Sequence, residues 1–141
     1  MQETKRKKGL LNSSKQEDTV YDILKQVFPD IVRQYKSEKY PFYCDFYIPS
    51  LDLYIEVNFN WTHGKHLFNP NNEEDIKTLN IWHNKAKQSN FFKNAIITWT
   101  VRDVNKVEYI EKNNLNFIIF YSLKEFYEWL QNKTIATINF N

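Results

Sequence analysis

Two stretches of strict alternation dominate the polarity pattern of the chain. In 43–48 (YCDFYI) and 53–58 (LYIEVN), aromatic and β-branched residues alternate with polar ones, the period of a half-buried strand. Pro49-Ser50-Leu51-Asp52 between them has turn composition. With those four residues as the loop, Ile48 pairs with Leu53 and the ladder follows. Cys44, Phe46 and Ile48 then share an apolar face with Leu53, Ile55 and Val57. Tyr43, Asp45, Tyr47, Tyr54, Glu56 and Asn58 share the other, where Asp45 stands opposite Glu56 with Cβ atoms about 4.5–5.5 Å apart.

Helical spacing takes over on either side. Val20, Tyr21, Leu24 and Phe28 predict a helix from about Ser14 to just before Pro29, opened by the capping box Ser14-Lys15-Gln16-Glu17. Glu17 keeps helical spacing with that stripe, so it belongs at the sheet-facing edge as well as in the cap. Residues 31–36 (IVRQYK) read as a strand with Val32, Gln34 and Lys36 on one face and Arg33 and Tyr35 on the other, completing a three-stranded meander. Residues 59–72 form a long polar loop punctuated by Gly64 and Pro70 and carrying Thr62, His63, Lys65 and His66. Asn72 caps a helix from Glu73 to about Gln88, with Ile76, Leu79, Trp82 and Ala86 buried and His83 flanking them.

Residues 95–101 (AIITWTV) read as a buried strand, followed by Arg102-Asp103 and a helix to about Lys112. Another buried strand is expected at 116–121 (NFIIFY). A last helix is opened by the capping box Ser122-Leu123-Lys124-Glu125, with Phe126, Trp129 and Leu130 inward. Residues 134–140 alternate enough for a strand or an ordered extension. The order α-β-β-β-α-β-α-β-α implies an α/β fold, a mixed sheet with helices on both faces in a three-layer sandwich. Arg102 and Asp103 would then end a sheet strand, where such folds place ligands.

Composition narrows the setting. With 141 residues the chain suits one domain, and its net charge of +2 excludes a polycation overall. Lys5, Arg6, Lys7 and Lys8 nevertheless cluster in a basic tail, 1–13, suited to a polyanion or simply to solubility. The single cysteine, Cys44, leaves no internal disulfide and fits a reducing compartment. No apolar run is long enough to span a membrane and the start of the chain lacks the apolar segment of a secretory leader. A cytoplasmic protein with no membrane partner is therefore expected.

Opposed carboxylates repel, and a divalent cation such as Mg²⁺ offsets that repulsion, unless the face is simply wet. His63, a few residues past the carboxylate strand, is placed to shuttle a proton.

In these elements and residues the chain resembles the PD-(D/E)xK nuclease superfamily, whose αβββαβ core carries a metal-binding Asp on its second strand and (D/E)-x-K on its third. Asp45 and Glu56-Val57-Asn58 stand in those places, and Glu17 matches an acidic residue on the first helix. Gln34-Tyr35 and Trp61-Thr62-His63-Gly64 look closest to very-short-patch repair endonucleases and related phage and homing endonucleases. That branch uses a Glu, an Asp, a His and a later Asp, here Glu17, Asp45, His63 and Asp103. The resemblance implies a restriction-endonuclease-like nuclease domain over 14–131, with 132–141 as a C-terminal extension.

It further implies Mg²⁺, with Mn²⁺ able to substitute, held by Asp45, Glu56 and the Val57 carbonyl for hydrolysis of DNA phosphodiesters by nicking or double-strand cleavage. Glu17 would act through water or a second ion, His63 would relay a proton, and Asn58 would orient the water. Lys36, Lys65 and Arg102, beside Asp103, would hold the DNA, with Trp61 or Trp99 stacking on bases. Asn58 departs from the family's lysine, which moves water activation towards His63 and charge stabilisation towards Lys65 or Arg102. It also opens the alternative of a catalytically degenerate DNA-binding protein. A zinc site from Cys44, His63, His66 and His83 lacks the usual spacing. The expected setting is a bacterial or phage-infected cell, with a homodimer left open.

Overall fold

The structure, a computed structural model, describes residues 15–140 and the side chains of residues 15–133. The basic tail 1–13 and Ser14, expected to open the first capping box, lie outside the described residues. The described residues form two compact units, one from residues 15–57 and 115–140 and the other from residues 58–114.

The first unit is built on a four-stranded sheet. Helix α1 (Lys15–Val27) leads to β1 (Val32–Ser37), β2 (Tyr40–Ile48) and β3 (Leu53–Val57), and the unit closes with β4 (Phe117–Phe120) and a C-terminal helix (Leu123–Phe140). The sheet order is β1-β2-β3-β4, antiparallel except for the parallel β3–β4 pair, so the sheet is open and mixed. The hairpin register is the one the alternation demands: Ile48 pairs with Leu53, Tyr47 with Tyr54 and Phe46 with Ile55. A 3-10 turn at Pro49–Leu51 makes the connection, and Asp52 closes it in the left-handed region at φ 48. Asp30 fastens the turn by accepting from the Ser50 N–H at 2.6 Å.

The two faces of this sheet differ as the alternation requires. Phe46, Ile55 and Phe120 are buried on one face, where the Tyr21 ring of α1 stacks on Phe46 and Phe126 of the last helix meets Phe120. Rings of Tyr35, Tyr40, Tyr47, Tyr54 and Phe117 crowd the other face. Arg33 and Tyr35, expected on one face, are divided between the two. Arg33 pairs with Phe46, whereas the Tyr35 ring stacks on Tyr47 at 4.3 Å. Gln34 causes the division, because its φ of 52 breaks the pleat between them.

The second unit supplies the long connection from β3 to β4. Helices α2 (Glu73–Ala86), α3 (Asn90–Ile97) and α4 (Asp103–Lys112) follow a 3-10 turn at Trp61–His63, and the last helix of the chain is therefore α5. Asn72 caps α2 as expected, its side chain accepting from Glu74 N at 2.8 Å and Asp75 N at 3.2 Å. The core is Trp82, Ala95 and Trp99, with Phe68, Leu79, Phe92 and Ile96 packed against it.

The expected strand at 95–101 is instead helical, continuing from α3 into a π turn at Thr98–Arg102. Its β-branched residues suggest a strand locally, yet Phe92, Ala95, Ile96 and Trp99 pack inward at helical spacing. Ile97 and Val101, which a buried strand would enclose, are 42% and 47% exposed. Thr100 Oγ1 donates back to the Ile96 carbonyl at 2.6 Å, the local bond by which a threonine fits a helix. The element order is thus α-β-β-β-α-α-α-β-α, and the sheet has four strands. Arg102 and Asp103 accordingly sit at a π turn and helix start, not at a strand end. Residues 134–140 continue α5. Among the described residues no helix is long and apolar enough to cross a membrane.

Candidate functional site

In the first unit, three carboxylates arise from three separate elements. The observed hairpin ladder ends at the Phe46–Ile55 pair, and Asp45 and Glu56 are the next residues beyond it on their two strands. Asp45 turns one oxygen into the ladder, where Oδ2 accepts the Val57 N–H at 2.8 Å. Glu56 is 5% exposed, and its Oε2 accepts from the Tyr40 hydroxyl at 3.2 Å. Glu17, one turn before Val20, is 6% exposed and accepts at Oε2 from Arg33 at 3.2 Å. Arg33 also donates to Asp18 at 2.9 Å while its guanidinium lies 4.6 Å from the Tyr21 ring centre.

Neighbouring groups register the resulting negative field. Burial, and then the charge of Asp45, push the Glu17 carboxyl from its ordinary 4.5 up to about 7, against the opposing pull of Arg33. The Tyr40 phenol is raised by burial first and then by Glu56. Burial, followed by Glu56 and Asp45, also raises the Cys44 thiol. Cys44 faces the core and donates to the Phe46 and Ile55 carbonyls at 3.0 and 3.2 Å, a structural use that takes it away from zinc chemistry.

The second unit holds two histidine–carboxylate pairs. His63 Nδ1 lies 2.8 Å from Asp103 Oδ2, and Asp103 is 6% exposed. A carboxylate accepts, so this contact puts the neutral ring's proton on Nδ1 and the lone pair on Nε2. The π turn contributes to this placement, since the Asp103 N–H bonds back five residues to Thr98. His66 Nε2 meets Asp75 Oδ1 at 2.7 Å, while Asp75 Oδ2 accepts the Asn69 N–H at 2.9 Å. The His66 carbonyl accepts from Trp99 Nε1 at 2.9 Å, so this pair fastens the loop to the core. Gly64 is required for the same closure. Its φ is +65, and a Cβ there would come within 2.5 Å of Trp99 Nε1.

The first unit thus gathers Glu17, Asp45, Glu56 and Val57, while the second gathers His63 and Asp103. Asn58 is buried at the start of the second unit; Lys65 and Arg102 are exposed there. Trp61 is 47% exposed and sits edge-on to Trp82 at 5.3 Å, whereas Trp99 is core and leaves no face for stacking. Lys36 is exposed, its Nζ 5.4 Å from the Tyr43 ring centre, and His83 is exposed on α2. Arg33, Tyr40 and Asp75 are partners that pattern reading missed. Arg33 carried little signal, being one of two cations in the mixed strand 31–36 (IVRQYK).

The donor set suits a hard cation of the Mg²⁺ type, which takes one or two carboxylates and keeps water for its other ligands. Among the described residues no group of three or more His, Cys, Asp or Glu side chains is placed to hold a metal. Compared with known protein families, characterised proteins and solved structures, the chain matches none.

Proposed function

We propose that this chain is a metal-dependent endonuclease of the PD-(D/E)xK type, acting on DNA in the cytoplasm, with Asp45 and Glu56 as its metal-binding pair. The observation that supports this reading most is that Asp45 and Glu56 are the next residues beyond the Phe46–Ile55 end of the hairpin ladder, Glu56 buried and Asp45 half-buried. Like charges so arranged are costly unless a cation joins them. The Val57 carbonyl would complete the protein's contribution. Mg²⁺, when bound, polarises the scissile phosphate and acidifies a water.

The chain's own residues supply the rest. The Val57 N–H holds Asp45 in one orientation, and Tyr40 does the same for Glu56, so neither carboxylate must be ordered when the ion arrives. Glu17, protonated in part near neutral pH, acts through water or a second ion. Within the second unit, Asp103 orients His63 so that Nε2 is the ring nitrogen left with the lone pair, the form a proton relay needs. Lys36, Lys65 and Arg102 supply sequence-independent phosphate contacts.

A second reading, a DNA-binding protein on the same fold without catalysis, is favoured by Asn58, which replaces the family's charged lysine. Plasmid nicking with Mg²⁺ or Mn²⁺ decides between them. The nuclease reading expects cleavage that falls by about 100-fold or more in Glu56→Ala while DNA retention is kept. Equal, negligible cleavage by both proteins with DNA binding intact overturns it.

A further inference from the structure

The tyrosine face of the first unit holds a cavity of about 600 Å³ whose residues, Lys36 aside, have no part in the chemistry above. Its apolar wall is Tyr35, Tyr47 and Tyr54. The rings of Tyr35 and Tyr47 stack 4.3 Å apart and within 9° of parallel, and Tyr54 lies 4.7 Å from Tyr47. The hydroxyls are held rather than loose: Tyr54 bonds to Ser37 Oγ at 2.9 Å, and Tyr47 donates to Asp52 Oδ1 at 2.7 Å. Lys36 and Lys39 are exposed on the lining, together with Glu38.

The backbone has been bent to build this wall. Regular alternation would put Tyr35 on the face of Arg33. The left-handed Gln34, at φ 52, delivers it to Tyr47 instead, and the register slips again between Tyr35 and Ser37. A non-glycine residue in that region carries a steric cost, its Cβ crowding the following carbonyl. What the distortion achieves is a third ring in the cavity.

We propose that this cavity binds one nucleotide, its base against the tyrosines and its phosphate on Lys36 and Lys39. Stacked rings take any base by its π-face, and ammonium groups take phosphate. The acidic groups, Glu38 and Asp52, balance the two lysines, so the lining is no simple anion hole and the base must contribute to binding. Asp52 and the Ser37–Tyr54 hydroxyl pair offer acceptors to the amino edge of a base. The volume falls in the range of small-ligand sites. In DNA only an unpaired nucleotide presents its base this way, so the site gives the endonuclease a preference for DNA with an extrahelical or single-stranded base. That last step rests on the nuclease reading; the nucleotide site itself does not.

Titrations with 2-aminopurine test the proposal, using the free 2-aminopurine deoxynucleoside monophosphate, a duplex with one unpaired 2-aminopurine, and the fully paired duplex. The unpaired duplex should bind about tenfold more tightly than the paired one, with the probe quenched by stacking. Tyr35→Leu should abolish the preference and the quenching, and Lys39→Gln, on an exposed turn, should weaken both. Plasmid nicking should be unchanged in these variants. Equal affinity for both duplexes without quenching, or a preference that survives in both variants, overturns the proposal. Binding of the free nucleotide in a Tyr35-dependent way without DNA binding keeps the nucleotide site and removes the nuclease reading. Nicking that depends on Glu56, with no probe quenching, does the reverse.

Discussion

Replacing Glu17 with glutamine probes the electrostatic core of the carboxylate cluster by a thermodynamic route that needs no substrate. The carboxyl is raised from 4.5 to about 7, by burial first and Asp45 second, with the attraction of Arg33 already opposing that rise. A rise of about 2.5 pH units at about 1.4 kcal/mol each gives about 3.5 kcal/mol, which solvent screening trims to about 3 kcal/mol. The sign follows from proton counting. Below pH 4.5 the group is protonated in both states. Between 4.5 and about 7 the native protein keeps a proton that the unfolded chain has released, so stability falls as pH rises through this window. Above it the loss is complete. The amide in the Glu17→Gln variant would carry no such proton and would still accept from Arg33.

Urea unfolding of wild type and Glu17→Gln, measured from pH 4 to pH 8.5, isolates the effect, because titrations not coupled to Glu17 cancel in the difference. The variant should gain up to about 3 kcal/mol on wild type across the window, most of it between pH 5 and 7. Parallel curves would show that Glu17 is not desolvated against Asp45, and the carboxylate cluster would fall with it.

Two further substitutions address the second unit. Asp103→Asn keeps the shape beside His63 but can donate to Nδ1, which favours the wrong ring tautomer; turnover should fall by about 10²- to 10⁴-fold with little change in KM, read from single-turnover nicking. Gly64→Ala places a Cβ 2.5 Å from Trp99 Nε1 at a φ of +65, and urea unfolding should show a loss of about 2 kcal/mol or more.

Much of the first unit was legible because its rules are short-range. A period of two, a four-residue turn and one register are enough to derive the pairs Ile48–Leu53, Tyr47–Tyr54 and Phe46–Ile55 that the ladder carries. The stripe of α1 likewise brought Glu17 to the inside. The misreading at 95–101 has an equally local origin. Seven residues rich in Ile, Thr and Val suit a strand, and only a window extended back to Phe92 reveals the helical stripe that packs on Trp82. Gln34 is a failure of another kind: nothing in Arg33-Gln34-Tyr35 announces a left-handed residue, and the ring stack on Tyr47 is what holds it there.

Alternation and turn chemistry therefore settle which side chains share a face of the hairpin, because successive strand residues must point oppositely. The pairing of Arg33 with Glu17, of Tyr40 with Glu56, and of His63 with Asp103 arises only once the chain has folded. Each joins residues 16 or 40 positions apart, and contacts that distant follow from packing rather than from local backbone geometry.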